Sequence, residues 1–262
     1  NQYLEVAIDL AVEKNGGKPV TVAMAFEQDP FSQDVRFGVL EAIERTESKK
    51  VIDDKLHNEL NDMAETLVKV KAFEPDVLVV SGHKRGALTA IRQISEMKVD
   101  VPMLAMTHCD AATLSKQYGK KSEYTLCASQ WHKTLTYKDE FFIDSMTYDA
   151  DFTKEFGYAP PYQAAESSAA LLVFKDAFER ANSFDKDKVR DALADTNIQT
   201  FYGNIKFSKS GENVAKPMVL LQVICDSGGN CVNKVVAPTK WTSNKLIIPE
   251  HPDITLEIDK LL

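Results

Sequence analysis

Three short polar stretches of the sequence carry the side chains best suited to bind a small molecule. They are residues 27–32 (EQDPFS), 81–86 (SGHKRG) and 107–110 (THCD), and each follows an apolar run and precedes a helical pattern. Main-chain N–H groups at the start of a helix attract an anion or a carboxylate. Ordinary helix capping, for which Ser32 and Asp110 are suitable residues, is the alternative interpretation of each stretch alone.

These stretches lack the signatures of the common catalytic sites. Residues 81–86 have neither the glycine spacing nor the closing Lys-Ser/Thr of a phosphate loop, and the chain has no Gly-x-Ser-x-Gly elbow. A metal pair of His83 and His108 remains an alternative, whereas Cys109 beside His108 is a poor nucleophile–base pair because sequence neighbours rarely align. We therefore expect a protein that is not an enzyme and needs no metal and no cofactor.

Two aromatic residues are candidates for the wall of a binding cleft. Trp131 stands where the first α/β pattern ends, and Tyr162 begins a helical pattern after two prolines. Aromatic side chains line many small-molecule pockets, which favours a binding role. Packing beneath a loop is an equally strong alternative for each of them.

The spacing of apolar residues predicts the elements that position these groups. Short strands are expected at 20–26, 50–52, 77–80 and 102–106, and helices at 3–12, 33–45, 60–73, 86–97, 149–156, 162–181 and 185–195. Strands that alternate with helices predict a doubly wound parallel sheet. The carboxyl ends of parallel strands share one edge of the sheet, so the three polar stretches are expected to meet there.

Two of the four cysteines are spaced for a disulfide. Cys225 and Cys231 flank the turn sequence Asp-Ser-Gly-Gly-Asn between two alternating apolar segments, which predicts a β-hairpin. Cysteines that face each other across such a hairpin reach disulfide distance, and a disulfide indicates an oxidising compartment. Free thiols and a metal pair are the alternatives, but no second ligand pair has a matching spacing. Cys109 and Cys127 are isolated and are expected to be buried thiols.

The charge of the chain excludes some classes of partner. The net charge is -8 and the isoelectric point is about 5.2, which argues against binding to nucleic acid or to an anionic membrane surface. No apolar run approaches the roughly 20 residues of a membrane span. Residues 1–5 have no signal-peptide character, as is also expected of a mature secreted chain.

Five stretches together resemble the leucine/isoleucine/valine-binding family of type I periplasmic binding proteins, the substrate-binding components of branched-chain amino acid ABC transporters. The stretches, in the family's order, are residues 26–31, 73–82, 128–131, 156–166 and 201–207, followed by Gly211. The resemblance covers residues 20–240, so it extends over most of the chain.

The resemblance implies an α/β fold of two lobes, each a doubly wound parallel sheet, with the ligand held in the cleft between them. Residues 18–128 are expected to form the second lobe, completed by a terminal hairpin at 216–240, and residues 241–262 a C-terminal tail. Residues 1–17 and 129–215 are then the remainder of the first lobe. Because family members are longer, this lobe is expected to be incomplete and to lack its N-terminal part.

The resemblance also implies a set of ligand-binding residues. Phe31 and His83 match cleft positions that are often tyrosine, and Thr107 lies near the position where amino-acid binders of the family have an acidic residue for the ligand ammonium. Threonine carries no charge, so Asp29, Asp110 or Glu27 is expected to replace that acidic residue. On the side of the first lobe, Trp131 and either Tyr162 or Gln163 are the expected contacts.

The implied function is that of an extracytoplasmic solute-binding receptor of an ABC-type importer. It captures a small polar metabolite, above all an amino acid, by hinge closure and delivers it to a membrane permease. The implied location is periplasmic or extracellular, lipid-anchored or soluble. The alternatives are a ligand-sensing domain of the same fold in a receptor or regulator, and a flavodoxin-like or hydrolytic α/β enzyme.

The apolar faces of two predicted helices indicate whether this chain can bind a ligand without a partner chain. Residues 3–12 and 162–181 each present an apolar stripe that must pack on something. In the family these stripes cover a sheet whose strands come mostly from the part that this chain lacks. We therefore expect the chain as given not to be a high-affinity receptor by itself, because it would expose apolar surface and lack first-lobe contacts.

Overall fold

The computed structural model describes residues 3–58, 60–109, 114, 117–239, 242 and 244–248. The chain forms two compact units. Unit 1 comprises Asn1–Ala128 and Leu220–Leu262, and unit 2 comprises Ser129–Val219. The chain thus leaves unit 1, builds unit 2, and returns to unit 1.

A seven-stranded sheet forms the centre of unit 1. Its strands are β1 (Thr21–Glu27), β2 (Lys49–Leu56), β3 (Val77–Ser81), β4 (Met103–Met106), β5 (Leu126–Ser129), β10 (Val219–Cys225) and β11 (Cys231–Ala237). The order across the sheet is β11-β10-β5-β4-β3-β1-β2. Strands β2, β1, β3, β4 and β5 pair in parallel, while β10 and β11 form an antiparallel hairpin. The predicted parallel α/β fold is confirmed for this unit.

The central strands of this sheet are apolar along their whole length because both of their faces are covered. Residues 22–26 of β1 and all five residues of β3 are buried. Parallel strands enclosed on both sides show this continuous apolar pattern rather than an alternating one. The sequence pattern at 20–26 and 77–80 therefore locates both strands to within one residue.

Four helices in the described part of unit 1 flank the sheet. They are α1 (Glu5–Lys14), α2 (Pro30–Arg45), α3 (Ala64–Phe73) and α4 (Lys84–Glu96), and a short 3-10 turn follows at Gly119–Ser122. Helix α2 begins with Pro30, whose fixed φ suits the first helical position. The Asp29 side chain accepts a hydrogen bond from the backbone N–H of Ser32 (3.1 Å) and so caps the helix.

Helix α1 lies in a different unit from the one expected. The family resemblance implies that residues 1–17 share a lobe with residues 129–215, whereas α1 belongs to unit 1. Its buried residues Ala7, Ile8 and Ala11 share the core of unit 1 with β1 and α2. The helix therefore satisfies its apolar face within unit 1, against the neighbour that follows it in sequence.

Unit 2 has a different construction, with three helices and two short hairpins. The elements are β6 (Lys138–Asp139), β7 (Ile143–Asp144), α5 (Ser145–Phe156), α6 (Tyr162–Ala181), α7 (Lys186–Ala194), β8 (Asn197–Thr200) and β9 (Gly203–Lys206). The described residues of unit 2 contain no parallel sheet; β6 pairs with β7 and β8 with β9, both antiparallel. The three predicted helices are present, and α6 matches its predicted bounds.

Aromatic rings make up much of the core of unit 2. Phe201 is fully buried, and its ring stacks on Tyr148 (4.2 Å between centroids) and lies 6.3 Å from Trp131. The indole N–H of Trp131 donates to Ser145 Oγ (3.3 Å), and that hydroxyl donates to the Phe201 carbonyl (2.7 Å). These bonds satisfy the polar groups that the aromatic packing encloses.

A buried lysine borders this core. The ammonium of Lys216 donates to the Gln130 carbonyl and lies 4.2 Å from the centroid of the Tyr202 ring. Burial lowers the pKa of Lys216 to about 8, although the nearby Glu166 carboxylate opposes the shift. Taking an ammonium group out of water disfavours its charged form, which accounts for the direction.

The predicted Cys225–Cys231 disulfide is confirmed. The two residues are paired across the β10–β11 hairpin with their Cα atoms 4.0 Å apart. In the loop, the Asp226 carboxylate accepts hydrogen bonds from the backbone and side-chain nitrogens of Asn230 (2.9 and 3.0 Å). The turn residues therefore hold the two strand ends at the distance that the disulfide needs.

Cys109 and Cys127, expected to be separate thiols, form a second disulfide. Their Cα atoms lie 5.4 Å apart, although 18 positions separate them in the chain. Cys109 follows β4 and Cys127 lies in β5, and these strands are neighbours in the sheet. The pairing depends on strand order, which the spacing of two isolated cysteines does not reveal.

Among the described residues, no helix has both the length and the apolar character needed to cross a membrane. Most of the tail expected at 241–262 lies outside the described residues. Ile247 is described, and its backbone exchanges two hydrogen bonds with the side chain of Gln222 on β10 (3.0 and 2.7 Å).

Candidate functional site

The loops that follow β1, β3 and β4 lie side by side at the carboxyl edge of the unit 1 sheet. Strands β1 and β3 are parallel neighbours, and β3 and β4 are parallel neighbours. The three polar stretches of the sequence are therefore adjacent, as strand order in a doubly wound sheet predicts.

Four rings gather at this edge, and we call them the aromatic cluster: Tyr3, Phe31, His83 and His108. The Phe31 centroid lies 5.8 Å from that of His83, 5.3 Å from that of His108 and 5.2 Å from that of Tyr3. The two imidazole centroids are 5.4 Å apart. Spacings of this size are typical of favourable ring contacts.

Thr107 and His108 fix the loop after β3. Thr107 is buried; its hydroxyl donates to the Gly82 carbonyl (2.7 Å) and accepts from the Gly82 N–H (3.1 Å). His108 Nδ1 also lies 2.9 Å from the Gly82 carbonyl, so this nitrogen carries the proton and donates it. Thr107 was predicted as a ligand contact, but in the structure its hydroxyl is committed to positioning the loop.

Two acidic residues lie beneath the aromatic cluster, and we call them the carboxylate pair: Glu27 and Asp29. Glu27 ends β1 and is fully buried; its Oε1 lies 3.4 Å from the backbone nitrogens of Leu60 and His83. Asp29 Oδ1 lies 3.6 Å from His83 Nε2. Both carboxylates are therefore close to the imidazole of His83.

Two glycines make room for the Glu27 carboxylate. A β-carbon at Gly82 or at Gly86 would collide with Glu27 Oε1. The glycines let the start of α4 approach the buried carboxylate, whose negative charge favours a helix N-terminus.

The ionisation of Asp29 follows from its surroundings. Burial by itself raises the pKa of Asp29, but contacts with Ser32 and the nearby His83 outweigh burial and hold the pKa below its usual value. Asp29 is therefore an anion at neutral pH, available to pair with a cation.

Three predicted site residues are not part of this edge as described. Asp110 lies outside the described residues. Trp131 and Tyr162 belong to unit 2, where Trp131 is buried in the aromatic core and Tyr162 packs against the same core. The geometry of the edge therefore includes Asp29, Phe31, His83 and Thr107 from the predicted set.

Sequence reasoning left Tyr3 out of the predicted site and gave His108 only a minor role. Tyr3 was missed because its helix was assigned to the other lobe. His108 adopts a positive φ of 52°, which turns the chain directly after β4. Its position in the third polar stretch was the available signal.

A separate depression of about 450 Å³ lies beside β2 and α3. Within it, the Asp54 carboxylate accepts hydrogen bonds from the Thr66 hydroxyl (2.7 Å) and from the Lys69 ammonium (3.1 Å). It shares no lining residue with the aromatic cluster or the carboxylate pair.

Comparison with known proteins identifies the family. The profile described as "periplasmic binding protein" matches residues 1–230, most of the chain. The chain belongs to the periplasmic binding protein family. The edge just described is therefore part of a periplasmic binding protein, and the predicted family resemblance is confirmed.

Solved structures agree with this fold. A leucine-binding protein from Thermotoga maritima superposes with a TM-score of 0.75 at 18% identity, covering 91% of this chain and 66% of that one. A leucine-, isoleucine-, valine-, threonine- and alanine-binding protein from Brucella ovis gives 0.71 at 15% identity, covering 93% and 64%.

A third solved structure extends the range of ligands seen on this fold. A solute-binding protein of an ABC transporter from R. palustris, in complex with benzoate, gives a TM-score of 0.67 at 16% identity, covering 95% and 66%. At these identities the likeness shows the fold alone. The periplasmic binding protein described here spans about two-thirds of the length of these structures.

Proposed function

We propose that this periplasmic binding protein is the extracytoplasmic receptor of an ABC-type importer and that it captures an amino acid. The observation that carries the proposal is the aromatic cluster beside the carboxylate pair at the carboxyl edge of the unit 1 sheet. An aromatic wall suits the apolar part of an amino acid, and a carboxylate suits its ammonium group.

Each residue of the edge has a role in this proposal. Phe31 and His83 form the wall, and Asp29 pairs with the ligand ammonium. Thr107 holds the loop that carries His83, which accords with its hydrogen bonds to Gly82. Asp110 and Tyr162 remain proposed contacts; the burial of Trp131 gives no support to a contact by its ring.

The proposed mechanism is closure of two lobes around the ligand. Ligand binding shifts the equilibrium from the open to the closed form, because the closed form has the higher affinity for the ligand. The closed form then engages a membrane permease. The proposed location is the periplasm or the extracellular face, lipid-anchored or soluble. A ligand-sensing domain of the same fold would bind its ligand in the same way, but it would act on a receptor or regulator and not on a permease.

An aromatic carboxylate is the second candidate ligand. Three of the four rings of the aromatic cluster lie within 6 Å of one another, which suits stacking on a planar ring. The His83 imidazole also offers a donor to a carboxylate. The carboxylate pair favours the amino acid, because an ammonium group neutralises it and a benzoate does not.

The deciding experiment compares matched ligands by thermal unfolding and calorimetry. Leucine, phenylalanine, benzoate and 3-phenylpropionate are added to the purified chain in EDTA, and a ligand at about 100 times its Kd stabilises the chain by about 2.7 kcal/mol. We expect the amino acids to stabilise and their amine-free analogues to fail. Stabilisation by benzoate alone would select the second candidate.

Variants of α2 test the proposed contacts. Phe31→Ala removes the wall, while Phe37→Ala, on an exposed position of the same helix, is the matched control. Asp29→Asn preserves the helix cap but removes the charge. Amino-acid binding that survives both Phe31→Ala and Asp29→Asn would refute the proposed site. The expectation that the chain alone binds weakly is tested by the same titrations.

A further inference from the structure

The carboxylate pair and His83 form a group with the donor atoms of a metal site. One ligand atom from each of Glu27, Asp29 and His83 can be chosen so that all three lie within 4.8 Å of one another. The group unites β1, the loop after it, and the residue before α4, so the fold itself brings the three together.

Buried polar atoms beside this group lack partners. Asp29 Oδ2 and Ser32 Oγ are both buried and have no hydrogen-bond partner among the described residues. Ser32 is fully buried, and its backbone N–H bonds the other oxygen of the same carboxylate. Buried polar atoms are nearly always satisfied, so Asp29 Oδ2 is the atom of this group with capacity for a further ligand.

The charges of the group favour a cation. Glu27 is fully buried and the Asp29 side chain is 14% exposed, and each offers a carboxylate oxygen within 4.8 Å of a ring nitrogen of His83. Two carboxylates in one buried place repel each other unless a positive charge lies between them. A divalent ion supplies that charge and uses the free Asp29 Oδ2 as a ligand.

We propose that Glu27, Asp29 and His83 bind one divalent first-row transition-metal ion, contrary to the sequence-based expectation of no metal. Imidazole with carboxylates suits Zn²⁺ and its neighbours better than Ca²⁺ or Mg²⁺, which take oxygen ligands. Ligand atoms around tetrahedral zinc are about 3.4 Å apart, so the three ligand atoms must draw closer together than 4.8 Å when the ion binds.

His108 completes the arrangement. Its Nδ1 donates to the Gly82 carbonyl, which leaves Nε2 with a free lone pair, as is common for metal-binding histidines. Its ring centroid is 5.4 Å from that of His83. Three protein ligands leave a fourth position, which His108 or the carboxylate of a bound ligand fills.

The inference gives Asp29 and His83 a second role, as metal ligands, and it is tested without any amino acid, so its failure is distinguishable from failure of the proposed receptor function. The chain of 262 residues is stripped with EDTA and titrated calorimetrically with ZnCl₂, and Co²⁺ is added separately to record its visible spectrum. We expect one ion per chain and a Co²⁺ spectrum of low coordination number. No binding of Zn²⁺, or binding of Ca²⁺ in its place, overturns the proposal.

Near-isosteric variants separate this site from adventitious binding. Asp29→Asn, Glu27→Gln and His83→Gln are each expected to weaken Zn²⁺ binding at least about tenfold. His132→Gln, in unit 2, and Asp9→Asn, on the surface of α1, are the controls and should bind as the parent does. His83→Gln changes an exposed side chain and should leave the fold intact, so it measures the loss of a metal ligand even if Glu27→Gln impairs folding. Equal affinity in parent and variants overturns the proposal.

Discussion

Unit 1 encloses its central strands β1 and β3, whereas unit 2 leaves much of its longest helix open to solvent. Residues 22–26 of β1 are inaccessible, while Leu171 and Phe174 of α6 are 71% and 46% exposed, and Phe184 after that helix is 90% exposed. The comparison teaches that the same chain uses two kinds of core. Unit 1 depends on a sheet covered by helices, and unit 2 depends on a compact group of aromatic rings.

The largest expected effect tests the aromatic core of unit 2. Phe201→Ala removes a fully buried ring and should lower the free energy of unfolding by about 3–5 kcal/mol. Urea denaturation followed by Trp131 fluorescence measures it, in a Trp241→Phe background that leaves one tryptophan. An unchanged midpoint would show that the rings around Phe201 do not determine the stability of unit 2.

The next effect comes from the cross-links, because all four cysteines lie in unit 1. The Cys109–Cys127 bond closes the longer loop, so Cys109→Ser/Cys127→Ser should cost about 3 kcal/mol and Cys225→Ser/Cys231→Ser about 2 kcal/mol. Urea denaturation by circular dichroism measures both. If reduction of both disulfides in the parent chain leaves the urea midpoint unchanged, the cross-links do not stabilise unit 1 and this difference between the units is wrong.

A pH effect of about 1–2 kcal/mol is expected in unit 2. The pKa of Lys216 is lowered to about 8 in the folded chain from its ordinary 10.5, so above about pH 8 the unfolded chain binds more protons. Stability should therefore rise between about pH 8 and about pH 9.5. Lys216→Met should abolish that rise, as measured by Trp131 fluorescence. A parent whose stability is flat across this range would contradict the burial of a charged Lys216.

The smallest effect concerns the open face of α6. Leu171→Ser should change the free energy of unfolding by less than about 0.5 kcal/mol, because the side chain is already exposed. Val173 is a buried residue of the same helix, so Val173→Ala should lower the free energy of unfolding by about 2 kcal/mol. Binding of the dye ANS should fall only in the first variant. Equal losses of stability in both would show that the Leu171 side chain is not exposed in solution.

The sheet of unit 1 was predictable because its signals are local. Continuous apolar runs such as 77–80 permit few alternatives to a buried parallel strand. The carboxyl-edge rule then placed Asp29, Phe31 and His83 together without any distance information. The Cys225–Cys231 bond was predictable for the same reason, since a hairpin brings its two ends into register.

The errors share the opposite cause, since each depended on a distant part of the chain. The Cys109–Cys127 bond required the order of β4 and β5, and the unit to which α1 belongs required knowledge of what its apolar face covers. The role of Thr107 depended on the exact approach of Gly82, which no pattern encodes. Residue type alone predicted a ligand contact, and the support that Thr107 gives to the loop became visible only in the structure.

The position of β10 beside β5 has a consequence for synthesis on the ribosome. Strand β5 ends at Ser129 and its neighbour β10 begins at Val219. The ribosome must therefore synthesise all of unit 2 after β5 before β10 can pair with it. At about 5–20 residues per second, this takes several seconds. During that interval one flank of β5 presents unpaired backbone groups, a template for association with other nascent chains. A chaperone that covers this flank would act most usefully while unit 2 is being translated.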